Sequence, residues 1–550
     1  MGTVNQLIKK GCTLFLFVFL SLSLPYSVIG QERLDMSLSC KKLRKSAESR
    51  GYSFVRIHQG EPFENQMRQP KTVYVVSSSF DLGGKVFNLP DSSYVCFKKK
   101  GAIRNGVIKG RLLNESIDPR CFGAIGDGRN DDTKVFQSIL DLHIPIILLK
   151  GRTYYIDGYL IIPSNVTIKG EGARIVLSAK DKAFPGFEIR RTSSVTIAGI
   201  TICAKKTKQS GSPFTRTTGT LWSNRYAITA SSVEELTIAD CTFVDVEYAI
   251  KIDGGVGNNN NITIKNCITE GSVATPVYVS HSDNVIIDGC VFHASIDASK
   301  FDHHLYGCAS NRHHLISNCS FYDGVGIPVH YYTTEVNGVD DVLVQNCYFE
   351  NTCGAVIVSS RGEGTLTVRD AKMNSSREYE NGVFCSGGNQ TLIVEGASVN
   401  APHQRLISCE GTESRLRGVI ATVGGFAYGL PSATGLLSVE GCQISLRSAP
   451  YVLYVSEKVA PKTGDVTLVG NRFLIDNSPE YLFSVRGTTK GTVSIENNEI
   501  LCKGNVKFAV YNAGKTSSRL LFNKNHIKGV AELRHFSVKG GVIDNNTLER

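Results

Sequence analysis

The chain has 550 residues, 41% hydrophobic and 20% charged, which are ordinary values for a folded soluble protein. Its formal charge of +10 is a mild basic excess that suits a polyanionic ligand such as an acidic polysaccharide. With no arginine-rich, aromatic-interleaved patch, nucleic acid is not an expected partner. There are 53 glycines but only 1 Trp and 4 Met, and this composition favours an all-β chain rich in turns.

In chain order, Lys9 and Lys10 precede an apolar run from Leu14 to Leu24, then Pro25 and the small-residue site Ser27-Val28-Ile29-Gly30. This pattern predicts a signal peptide over residues 1–30 and an exported, periplasmic or cell-surface protein. The run is too short for a comfortable membrane span, so no transmembrane segment is expected beyond the signal. Residues 31–71 form a polar segment, helix or linker, with Lys41, Lys42, Arg44 and Lys45 close together. Strand–turn–strand rhythm over 72–117 predicts initial β-coils. The stretch from Phe122 to Thr133 is a glycine-punctuated turn leading into a capping helix near 131–142. Asp131 or Asp132 is placed to cap it, with Val135, Ile139 and Leu140 on its apolar face. The stretch lacks the Lys-Ser/Thr ending of a phosphate loop.

Beyond the helix a repeat begins, of the form apolar-x-apolar-x-x-slot-x-apolar. The slot falls at Ile200, Cys241, Cys267, Cys290, Cys319, Cys347, Ala371, Ala397, Ala421, Cys442, Asn471, Asn498, Asn525 and Asn546. After a first gap that holds an insertion, the spacing runs from 21 to 29 residues. Repeats this short, all strand and turn, predict a parallel β-solenoid over 118–550. Equivalent residues then stack, giving a thiol ladder and an amide ladder. The cysteines read as reduced packing residues, with disulfides between neighbouring rungs as the alternative. No pair has close CxxC spacing, so zinc is not expected.

The stretch Phe122 to Thr133, with Gly151-Arg152-Thr153-Tyr154-Tyr155-Ile156 and Gly170-Glu171-Gly172, resembles the pectate-lyase superfamily over about residues 72–550. The resemblance implies a single-stranded right-handed parallel β-helix and a role in polysaccharide degradation. The Asn-Thr-Asp, Gly-His-Gly and Arg-Ile-Lys motifs of the family's polygalacturonases are absent. So is the acidic cluster of its calcium-dependent lyases. No catalytic residue is carried over, and no cofactor or metal is expected.

Candidate chemistry comes from aligning the second strand of each coil. The outward column reads Lys251, Tyr278, Tyr306, His330, Ile357, Phe384. The next reads Asp253, Ser280, Cys308, Tyr332, Ser359, Ser386. His304 is expected on the same face as Tyr306. A Tyr, His or Lys base here would abstract the proton alpha to a uronate carboxylate that Lys251 or Arg361 neutralises. Tyr332 and Asp302 would contact the sugar. Asp253 and Asp302 are the nearest carboxylates for a glycosidase pair. His314 reads as a core histidine. The expected function is an exported lyase or hydrolase of an acidic polysaccharide. The alternative is a non-catalytic β-helix adhesin or tailspike-like glycan-binding protein. No oligomeric state is assigned.

Overall fold

The computed structural model describes residues 33–549, apart from 180–183, 209–220, 223–224, 255–256, 273–274, 294–302, 337, 429–435, 449–450, 456–464, 486–490, 513–518 and 535–541. The expected signal peptide lies outside the described residues.

The polar N-terminal stretch holds both helix and strand. Helix α1 (Cys40–Ser49) buries Leu43 and Ala47, one turn apart, in a small cluster with Val73, Val75, Tyr94 and Cys96. Strand Ser53–Ile57 pairs in parallel with Thr72–Val76, which pairs with Tyr94–Phe97. The one-turn helix α2 (Phe63–Gln66) seats Phe63 against Phe80 and Phe87. Two further parallel pairs, Ser79–Asp81 with Ala102–Arg104 and Val86–Asn88 with Val107–Lys109, lead to the start of the solenoid.

There the glycine-rich stretch folds as a 3-10 turn (Pro119–Phe122), a strand (Asp127–Asp131) and helix α3 (Thr133–Leu140). The helix is two residues shorter at each end than the expected 131–142, and Asp132, its N-cap, makes no side-chain capping bond. That carboxylate is buried and accepts instead from the backbone N–H groups of Ile125 (2.7 Å) and Gly126 (3.2 Å). Gly126 has a φ of 63°, and a Cβ there would sit 3.0 Å from the Tyr154 ring. The buried face of α3 is Phe136, Ile139 and Leu140, with Val135 only half-buried.

From Thr153 onward each coil contributes three strand segments that pair in parallel with the next coil, about 4.8 Å further on. Alternate residues point inward and form ladders. Phe292, Phe321 and Phe349 stack with centroids 5.2 and 5.0 Å apart and nearly parallel rings. Thr269 occupies the same inward position between Phe243 and Phe292, and its Oγ1 is buried without a hydrogen-bond partner. Replacing an unsatisfied buried hydroxyl by a methyl of the same shape removes a desolvation cost. Thr269→Val should therefore raise stability by about 1 kcal/mol, read as a shift in urea midpoint at constant m-value.

The slot ladder stands as expected except at one rung. Val419, not Ala421, fills that rung, since its carbonyl accepts from Gln443 and its N–H donates to Cys442 Sγ. Ala421 pairs with Val399 and Ile444, two residues further on. The fifteen described cysteines are free thiols. Asn471, Asn498, Asn525 and Asn546 form the amide ladder. Each Oδ1 accepts the backbone N–H of the preceding slot, at 2.9 to 3.0 Å.

One cation is fully buried near the solenoid's start. The Arg225 guanidinium donates to the carbonyls of Gly158 (2.7 Å), Pro185 (2.9 Å), Ser178 (3.2 Å) and Phe184 (3.2 Å), and to Ser178 Oγ (2.8 Å). Burial lowers its pKa to about 10.

Candidate functional site

The face that carries the candidate residues is built from β1 (Arg225–Ser231), β2 (Tyr248–Asp253), β3 (Val277–Asp288), β4 (Leu305–Ser317), β5 (Val329–Thr333), β6 (Val356–Arg369) and β7 (Tyr379–Glu395). Inward β-branched residues such as Ile250, Val277 and Val329 hold each strand on the core, which turns the intervening residues outward. The registers Lys251↔Tyr278, Tyr278↔Tyr306, Tyr306↔His330 and His330↔Ile357 place the expected column in line. The second column runs Asp253, Ser280, Cys308, Tyr332, Ser359 in the same way.

The column's last member differs. Ile357 pairs with Cys385, and Phe384 faces the core, fully buried. Ser359 pairs with Gly387, so Ser386 leaves the second column too. His304 is also inward. It lies just before β4 begins, so strand alternation does not govern it. Its Nε2 donates to the Tyr322 carbonyl at 3.0 Å and its ring packs on Phe321. Arg361 is exposed in β6, four residues beyond Ile357 along the strand. Asp302 lies outside the described residues, as do residues 209–220 of the insertion.

What the face holds is a continuous aromatic strip. Tyr226 and Tyr248 meet edge to face at 5.0 Å, Tyr248 meets Tyr278 at 6.3 Å, and Tyr278 meets Tyr306 at 5.9 Å. His303 stacks on Tyr306 at 5.5 Å, and His330 lies 5.1 Å from Tyr306 and 6.2 Å from the exposed Tyr332. Lys251 sits among three of these rings, its Nζ 5.3 Å from Tyr226, 5.6 Å from Tyr278 and 6.0 Å from Tyr248, within cation–π range. Its other neighbour is Asp253, 3.8 Å away. The sequence column did not include Tyr226, Tyr248 or His303. The repeated tripeptides Tyr226-Ala227-Ile228 and Tyr248-Ala249-Ile250 mark the first two, whereas nothing in the sequence marks His303.

Hydrogen bonds fix the protons of the histidine pair. His303 Nδ1 lies 2.7 Å from the Ile327 carbonyl, which only accepts, so Nδ1 carries hydrogen. Burial lowers the pKa of His303 to about 4, so the ring is neutral and Nε2 bears a lone pair. That Nε2 lies 2.7 Å from His330 Nδ1, which must therefore be the donor. His330 is lowered to about 3, by burial and then by His303, leaving its Nε2 unprotonated at neutral pH. Burial pushes the Tyr306 hydroxyl up to about 12 and raises Tyr278 as well, so both stay protonated. At neutral pH His330 Nε2 is therefore a lone-pair acceptor of low basicity.

His304 and His314 lie inside. Both are lowered to about 4 by burial, and His314 accepts from the Tyr331 hydroxyl (2.9 Å) and donates to the Ser282 carbonyl (3.2 Å). The unfolded chain takes up these protons near pH 6.5, whereas the folded chain resists them down to about 4. Stability should thus be complete above pH 6.5 and decline as pH falls towards 4. A chemical-denaturation series across that window checks it, and a flat profile would contradict the burial argument.

Among the described residues, no group of three or more His, Cys, Asp or Glu could hold a metal ion. No helix among them is long and apolar enough to cross a membrane.

Residues 226–418 match the family model described as a right handed beta helix region. The solenoid is a right-handed β-helix. The β-helix is 25% identical over 269 residues to the preneck appendage protein of Bacillus phage PZA, covering 43% of this chain and 31% of that protein. It is 21% identical over 210 residues to the plasmin and fibronectin-binding protein A of Streptococcus pneumoniae (strain ATCC BAA-255 / R6), covering 35% and 26%. The chain thus spans under a third of the length of these curated relatives. Among solved structures, the tailspike protein of E. coli bacteriophage HK620 in complex with pentasaccharide aligns over 79% of this chain and 81% of its own, at 12% identity and a TM-score of 0.46.

Proposed function

We propose that this β-helix is an extracellular or surface-borne glycan-binding protein. The observation that carries the reading is the unbroken strip from Tyr226 to Tyr332, with Lys251 set among its rings. Flat apolar faces edged by hydroxyls suit pyranose rings, and the ammonium suits a sugar carboxylate. The relatives' names, an appendage protein and a plasmin- and fibronectin-binding protein, fit a binding role. A glycan array probed with the purified protein tests it. Binding to acidic oligosaccharides that falls with added salt supports the reading. No binding across the array removes it.

A second reading is favoured by the histidine relay. His330 Nε2 is an unprotonated acceptor in the same outward column as Lys251, three rungs away, and an acceptor with a cation is what proton abstraction alpha to a uronate carboxylate requires. A uronate lyase would release products that absorb as unsaturated chain ends, and His330→Gln would abolish that signal. Absence of the signal over a panel of acidic polysaccharides leaves binding alone.

A further inference from the structure

A second constellation lies beside the strip, and the binding reading makes no use of it. Ser280 Oγ is 2.9 Å from His281 Nδ1, and His281 Nε2 is 3.1 Å from Glu335 Oε1. The two contacts assign the protons. A carboxylate only accepts, so Nε2 carries the hydrogen and donates to Glu335. Nδ1 then holds a lone pair and accepts the Ser280 hydroxyl. This is the order of roles in a nucleophile–base–acid triad, reached with the two ring nitrogens exchanged. Ser280 and His281 are adjacent in sequence, whereas Glu335 comes from 54 residues further along the chain. Ser280 is also pinned. Its carbonyl accepts from Gly254 N–H (3.2 Å), Asn259 Nδ2 (3.3 Å) and Ser282 Oγ (2.9 Å).

We propose that Ser280, His281 and Glu335 form an acyl-transfer site that removes small O-acyl groups, acetyl above all, from sugar hydroxyls. The Ser280 oxygen attacks the ester carbonyl as its proton passes to His281 Nδ1. The carbon–oxygen bond to the sugar then breaks, and His281 returns the proton to the leaving alkoxide, freeing the sugar hydroxyl. Water, deprotonated by the same nitrogen, attacks the acyl-serine and releases the carboxylic acid, which restores Ser280. No oxidant or other co-reactant is needed. Glu335 orients the imidazole and balances its transient positive charge. Lys251 is the diagonal neighbour of Ser280 on the adjacent parallel strand, where Asp253 pairs directly with Ser280. It supplies a cation for the developing oxyanion.

Burial sets the substrate class. Ser280 is only 2% exposed, while the side chains of His281 and Glu335 are 31% and 43% exposed. With so little of Ser280 exposed, the site suits a small acyl group such as acetyl rather than a long chain. Ser280 lies in the column beside the tyrosines, so a sugar on the strip would bring an ester to it.

The test needs no sugar and so does not depend on the glycan reading. The full chain is assayed with p-nitrophenyl acetate and p-nitrophenyl decanoate, and separately treated with a small fluorophosphonate followed by peptide mass mapping. The expected result is acetate release at least about 10-fold faster than decanoate release, with the phosphonyl mass on the peptide containing Ser280. Ser280→Ala should lose about 100-fold or more of the esterase rate with its thermal midpoint retained, and Glu335→Gln about 10-fold. A phosphonyl label elsewhere, no label at all, or an undiminished rate in Ser280→Ala would overturn the proposal. The label requires no variant, so a folding defect in a mutant cannot decide the outcome.

Discussion

Arg225→Leu should destabilise the protein by about 3–5 kcal/mol, among the largest effects any single substitution here would have. The guanidinium is fully buried and donates to four carbonyls and one hydroxyl drawn from separate coils. Leucine fills part of the volume but donates nothing, so those acceptors are left dry and unpaired. The loss should appear as a lower urea midpoint. Arg225→Lys keeps the charge but offers three donors from one point rather than a planar fork, so it should recover only part of the loss. If Arg225→Leu unfolds within about 1 kcal/mol of the parent, the carbonyl cluster contributes little.

Tyr306→Ala should weaken glycan binding by about 30-fold, or roughly 2 kcal/mol. Tyr306 stands at the centre of the strip, touching Tyr278 on one side and His303 and His330 on the other. Its removal takes a stacking surface from the ligand and also frees the two histidine rings that lean on it. Tyr306→Phe keeps the ring and should retain most of the affinity, which separates stacking from hydroxyl hydrogen bonding. Titration calorimetry with the best ligand from the array measures both. Equal affinity in Tyr306→Ala would place the ligand elsewhere.

The repeat was legible because most slots are small or amide-bearing and are flanked by residues of strict alternation, so register carries from one coil to the next. It failed where alternation fails. Val383, Phe384 and Cys385 are three consecutive apolar residues, all buried, and offer no outward member to anchor the column. At the next rung but one the pattern pointed to Ala421, and the hydrogen bonds place Val419 in the slot instead. The tyrosines of the candidate site could be read from the outward positions of the strands. His303 could not, because it lies outside the strand and is held by the Ile327 carbonyl and a neighbouring imidazole. Glu335 and His281 meet only because the loop after β5 reaches back to an irregular position within β3.

The thiol ladder has a practical consequence. Cys241, Cys267, Cys290, Cys319 and Cys347 lie on successive coils and are buried. An alkylating reagent cannot reach a sulfur buried in the core, so each thiol can react only when its own coil opens. The five positions therefore act as clocks spaced along the axis. Their labelling rates under native conditions, read peptide by peptide, would show whether the rod frays from one end, breaks in the middle or opens all at once.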